Sequence, residues 1–143
     1  MQGFMIAKKL LESIPQSIRI IRKLSTESVT ESLTLSQLRV LFLIKEGQSQ
    51  TQMSETLDVS LPAMSKMINC LEKKGLMNRK VSDDRRANQL VLTAKGKKFL
   101  SRVSDYVTSE LDAGIQKLTK TQREQLLTGI LVLDELMKIV KEV

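Results

Sequence analysis

Ten lysines and arginines fall between residues 60 and 100: Lys66, Lys73, Lys74, Arg79, Lys80, Arg85, Arg86, Lys95, Lys97 and Lys98. Only Glu72, Asp83 and Asp84 oppose them, so this stretch holds seven net positive charges. The whole chain of 143 residues also carries +7, which leaves its flanks balanced. Charge confined to less than a third of a chain is placed charge, and a placed basic face suits a phosphate backbone. A merely solvated lysine-rich surface would spread over the flanks as well. Other chemistry is absent. There is no histidine, which excludes imidazole metal sites and histidine-based catalysis. No glycine-rich phosphate loop, metal-ligand cluster or activated nucleophile is visible, so neither an enzyme nor a cofactor is expected.

The elements that must position these charges follow from local signals. Thr34 with Gln37, and Ser49 with Gln52, are capping-box pairs that open helices over LSQLRVLFLIKE and over a short segment ending at Leu57. Gly47 closes the first of these, because glycine takes the left-handed conformation of a helix end. Asp58-Val59 is a turn. Ser60 caps the next helix, with Pro62 in its first turn, an inward stripe of Met64, Met67, Ile68 and Leu71, and Gly75 as the stop. Two helices, short then longer, joined by a tight turn make a helix-turn-helix. Residues 77–81 and 88–92 are β-type runs around a polar turn at 82–87. A basic hairpin directly after a helix-turn-helix makes a winged helix. The expected fold is mostly α with a small β-hairpin wing, an α+β winged helix-turn-helix over residues 34–99.

The inward stripe of helix 60–74 decides what faces out: Leu61, Ala63, Ser65, Lys66, Asn69 and Lys73. An α-helix fits the major groove, where the N-terminal residues of a recognition helix reach base edges. Ser65 can donate or accept, Lys66 can reach guanine or phosphate, and Asn69 can pair with adenine. Leu61 and Ala63 can meet a thymine methyl. For each taken singly, phosphate or plain solvent competes with base readout. Gln50 and Thr51 open the preceding helix, where backbone N–H groups favour a phosphate. Lys73, Lys74 and Arg79 are further candidates for backbone contacts. In the turn, Arg85 and Arg86 stand beside Asp83 and Asp84. An arginine there can enter a narrow minor groove while an aspartate braces its fork, and Arg86 is the expected groove residue.

The ends of the chain read differently. Apolar residues step helically through Ile6, Leu10, Ile14, Ile18 and Ile21. Ser13, Pro15 and Gln16 predict that the main helix starts near Ser13, with residues 4–12 separate or kinked and 25–32 a polar loop. A long helix from Thr93 to about Lys117 and a last one capped by Thr119 and Gln122 complete the chain. The last helix is apolar on more than one face, which needs more surface than one DNA-binding core supplies. Residues 1–33 and 100–143 are therefore expected to form a helical dimerisation region, and otherwise to close the monomer's own core. With 41% hydrophobic and 27% charged residues, the chain reads as an ordinary globular domain. No apolar run is long enough to cross a bilayer, the N-terminus has the wrong order for a secretory signal, and the single Cys70 fits a reducing compartment. The expectation is cytoplasmic and not membrane-bound.

The run LTLSQLRVLFLI, and then SQTQMSETLDVSLPAMSKMINCLEKKGLMNRKVSDDRRANQLVLTAKGKKFL, resembles MarR-type transcriptional regulators over nearly the full length. Asp84, Arg86, Leu92, Thr93 and Gly96 stand where that family has Asp-x-Arg, a short strand and Leu-Thr-x-x-Gly. LEKKGL, residues 71–76, is similar to the end of its recognition helix. The resemblance implies a homodimer that binds double-stranded DNA at a pseudo-palindromic operator, usually as a repressor. It also implies release by a small-molecule effector, held between dimerisation and DNA-binding regions, or by cysteine oxidation. Cys70 lies on the recognition helix, where it is either an incidental small residue or a switch whose modified thiol would disturb docking. The alternative is a winged helix used for protein–protein assembly without DNA. Attachment to anionic lipid is disfavoured, because the basic residues alternate with a hairpin and lack bulky apolar anchors.

Overall fold

Capping chemistry fixes most element boundaries. In the computed structural model, which describes residues 1–29, 33–81 and 88–142, the Thr34 hydroxyl accepts from Gln37 N while the Gln37 side chain accepts from Thr34 N. This opens α2 (Leu35–Lys45). The same reciprocal box at Ser49 and Gln52 opens α3 (Gln50–Leu57), and one at Thr119 and Gln122 opens α6 (Lys120–Lys141). Ser60 caps α4 (Leu61–Lys73) through Ala63 N. Asp58, at φ 53°, takes the left-handed conformation between α3 and α4, and Val59 N returns to Ser54 O at 3.0 Å. Gly75, at φ 75°, turns the chain out of α4 in a conformation that costs a residue with a Cβ.

Strands β1 (Met77–Val81) and β2 (Asn88–Leu92) pair antiparallel, with Met77 opposite Leu92, Arg79 opposite Leu90 and Lys80 opposite Gln89. α5 (Ala94–Ile115) follows at once, with Gly96 N donating to the Thr93 hydroxyl at 3.0 Å. One core joins these parts: Leu38, Val40, Leu41 and Ile44 of α2, Met53 of α3, Met64, Ile68 and Leu71 of α4, Leu76, Met77, and Phe99, Leu100 and Val103 of α5. Phe42, Met67, Leu90 and Leu92 are half-buried against it.

The chain divides into two units, Met1–Val107 and Thr108–Val143, with α5 crossing the boundary. The first helix departs from the sequence expectation. α1 (Gln2–Glu27) is continuous through Pro15, and Ser13 is inside it. Proline removes one helix hydrogen bond, at a cost of about 3 kcal/mol in an interior. Here the unpaired carbonyl belongs to Leu11, a residue 76% exposed, so water can take it. The Ser13 carbonyl accepts the Ser17 hydroxyl at 2.8 Å instead of serving a new cap. The expected loop also begins too early: Ser25 and Thr26 remain helical, their hydroxyls bonded back to the Ile21 and Arg22 carbonyls. Neither α1 nor α6 has a buried residue; Phe4 is 71% exposed and Leu127 61%.

Candidate nucleic-acid interface

Burial on α4 sets its outward row. Met64, Ile68 and Leu71 are sealed in the core, so Leu61, Ala63, Lys66, Asn69 and Lys73 stand on the exposed side, as expected, with Leu61 half accessible to solvent. Ser65 and Lys74 are half-buried. Thr51 is exposed in the first turn of α3. Leu61, Ala63 and Lys66 therefore lie together on the N-terminal half of α4, the half from which a groove-reading helix reaches bases.

Several of the expected residues are already paired with one another. The Gln50 amide donates to the Ser65 hydroxyl, which ties the start of α3 to α4. Arg79 donates to Asn69 Oδ1, and its Nε lies 3.6 Å from a Glu72 carboxylate oxygen. Arg79 is thus a strut from β1 to α4. Bidentate pairing of Asn69 with adenine uses that same oxygen, which has a second lone pair, so Arg79 orients the amide and leaves its N–H groups as donors. Asp84, Arg85 and Arg86 lie outside the described residues.

Four tertiary hydrogen bonds that seat the helix and hairpin join residues far apart in the sequence. Gln37 Nε2 donates to Cys70 Sγ at 3.4 Å, so the half-buried thiol turns towards the start of α2. Lys95 Nζ donates to the Lys74 carbonyl at 3.0 Å, at the end of α4. The Thr93 hydroxyl donates to the Gly75 carbonyl at 2.6 Å, and Thr93 N to the Leu76 carbonyl at 3.2 Å. Gly96 sits against that same Leu76 carbonyl: a Cβ on it would stand 2.0 Å from the oxygen. The Leu-Thr-x-x-Gly pattern is therefore a joint that fastens the end of α4, the root of the wing and the start of α5.

A second feature missed in the sequence lies between α1 and α2. Pro15, Ile18, Arg19, Arg22, Lys23 and Leu35 line a cleft of about 430 Å³. Beside it, burial and then the Arg22 guanidinium push Arg39 below the usual arginine range. Among the described residues there is no cluster of acids and thiols that could hold a metal ion, and no helix is long and apolar enough to cross a membrane.

A helix-turn-helix whose second helix presents a basic outer row, followed directly by a two-stranded hairpin and a long helix, is a winged helix of the nucleic-acid-binding class. Residues 33–87 match the profile of the MarR family. The fold is shared with a transcriptional regulator from Thermotoga maritima, at a TM-score of 0.75 and 22% identity over 100% of this chain and 99% of that one. A transcriptional regulator protein from Pseudomonas aeruginosa is similar at a TM-score of 0.81 and 18% identity, over 96% of each chain. MepR of S. aureus, solved with ethidium bromide bound, is similar at 0.63 and 18%, over 91% of this chain and 95% of that one. The family match is thus carried by residues 33–87, and the likeness to the solved structures extends the shared fold over the rest of the chain.

Proposed function

We propose that the protein is a homodimeric repressor that binds a pseudo-palindromic operator, with α4 in the major groove and the 82–87 wing in the flanking minor groove. The observation that carries this reading is the outward row of α4. Small, apolar and cationic residues alternate there, opposite a fully buried stripe, and no acid interrupts the row before Glu72. Lys66 and Lys73, with Lys74 at the helix end, supply the phosphate term that dominates affinity. Leu61, Ala63, Ser65 and the Asn69 amide supply base contacts. Arg86 enters the minor groove.

The dimer rests on the apolar surface of the terminal helices. Leu127, Leu131, Val132, Ile139 and Val140 of α6 are all more than half exposed, and so are Phe4, Met5 and Leu11 of α1. Helices of globular proteins seldom leave so many large apolar side chains open, and a second copy of the same helices buries them. A small-molecule effector fits the reading as well. The α1–α2 cleft has Arg19, Arg22 and Lys23 on its wall and Arg39 beside it, which suits an anion and not a cation such as the ethidium held by MepR.

In vitro selection of DNA by the purified protein tests the core of this reading. The selected sites should contain an inverted repeat with half-sites about 10 base pairs apart, centre to centre. Light scattering should give twice the mass of one chain. Selection of no sequence, with no salt-dependent binding to random DNA, would favour protein–protein assembly instead.

A further inference from the structure

A second cluster of cations stands away from the outward row of α4, along the outer edge of β2. Lys45 at the end of α2, Lys80 of β1 and Lys97 in the first turn of α5 line one cleft of about 620 Å³, with Ile44, Leu90 and Leu92 as its apolar wall. All three lysines are exposed, and among the described residues none has a carboxylate within salt-bridge distance. Lys45 alone would be explained by the negative end of the α2 dipole. Lys97 has the opposite situation. It lies at the positive end of α5, where the first turn holds no acid, so its charge is unfavourable without an anion nearby. Lys80 faces Gln89 across the hairpin and gains no charge partner there.

The backbone adds donors of its own. Thr93 N bonds to Leu76 O, which marks that pair as hydrogen-bonded across the ladder. By the alternation of an antiparallel pair, Asn78 and Val91, and Lys80 and Gln89, also bond to each other. The N–H groups of Leu90 and Leu92 therefore point away from β1, into the cleft. Among the described residues no third strand covers that edge, and no backbone group there accepts from these two. Outward amides, three uncompensated ammonium groups and an aliphatic wall are what an organic anion with a flat apolar body would bind.

We propose that this cleft is a binding site for a small amphipathic organic anion, distinct from the cleft between α1 and α2. The volume is that of a small-molecule site, which favours a compact ligand over an added peptide strand. The two amides and the lysines take its carboxylate, sulfonate or phosphate oxygens, and Ile44, Leu90 and Leu92 cover its body. Binding there ties β1 and β2 to α2 and α5 at the root of the wing. The proposal does not depend on operator binding.

The test is a methyl NMR titration of the full chain with naphthalenedisulfonate as probe, without DNA. Saturable shifts are expected at the methyls of Ile44, Leu90 and Leu92, with one probe per chain. The triple variant Lys45→Gln, Lys80→Gln, Lys97→Gln should weaken the probe by about tenfold or more. Should that variant fail to fold, Lys97→Gln alone decides. It removes a cation from the wrong end of a helix, so it should fold normally and still weaken the probe by about threefold. Shifts confined to Ile18 and Leu35, shifts spread over α6, no saturation at millimolar probe, or an unchanged affinity in the lysine variants would overturn the proposal.

Discussion

Replacing Gly96 with alanine probes the joint on which the wing is mounted. The new Cβ would lie 2.0 Å from the Leu76 carbonyl oxygen and 3.0 Å from its carbon. Aliphatic carbon and carbonyl oxygen ordinarily approach no closer than about 3.3 Å, so the two backbone segments must part by more than about 1 Å. Neither segment is free to yield. Leu76 is buried in the core, its oxygen accepts Thr93 N at 3.2 Å, and the neighbouring Gly75 oxygen accepts the Thr93 hydroxyl at 2.6 Å. Overpacking of this kind costs about 1–3 kcal/mol, and loosening the two hydrogen bonds adds about 1 kcal/mol. The better helix propensity of alanine offsets about 1 kcal/mol. Gly96→Ala should therefore lose about 1–3 kcal/mol in urea unfolding followed by circular dichroism. Gly114, in the same helix, is the control. Nothing lies within 4 Å of its Cβ position, so Gly114→Ala should gain up to about 1 kcal/mol. If Gly96→Ala unfolds at the same or a higher urea concentration than the parent, the close approach of α5 to the Leu76 carbonyl does not hold.

Four further outcomes are expected. Arg86→Ala should weaken operator binding at least about tenfold in fluorescence anisotropy, with secondary structure and dimer mass unchanged; equal affinity removes Arg86 from the minor groove. Lys73→Ala should weaken binding to all sequences alike and flatten the slope of log affinity against log salt by about one; an unchanged slope means that Lys73 touches no phosphate. Gln50→Ala and Ser65→Ala, singly and together, should show a coupling of about 0.5–1.5 kcal/mol in urea unfolding, and strict additivity would mean that their bond contributes nothing. Cys70→Ala should leave operator affinity within about twofold, because the sulfur is turned to Gln37 on α2; a larger loss would place the thiol in the DNA contact.

Much of the scaffold was legible because its causes are local. The capping boxes at Thr34, Ser49 and Thr119 each involve residues three apart, and all three form with both bonds in place. The Met64, Ile68 and Leu71 stripe follows from helical period alone, and it fixes the outward row of α4 by exclusion. Strands 77–81 and 88–92 and the stop at Gly75 follow from propensity and backbone freedom. The same local reasoning failed at Pro15. A capping pattern competes with helix continuation, and the exposure of Leu11, which sequence does not reveal, lets the helix run on.

The amino-acid order by itself determined where α2, α3, α4 and α6 start, which face of α4 is apolar, and that the excess charge lies in the winged region. Only the tertiary structure decided which of those polar groups engage one another. Arg79 meets Asn69 ten residues away, Gln50 meets Ser65 fifteen away, and Gln37 meets Cys70 thirty-three away. It likewise decided that Lys45, Lys80 and Lys97 share one cleft and that Gly96 must be bare against Leu76. Periodicity and capping report interactions within about one helical turn, whereas these contacts depend on how separate elements pack, and packing is set by the shape of the whole core.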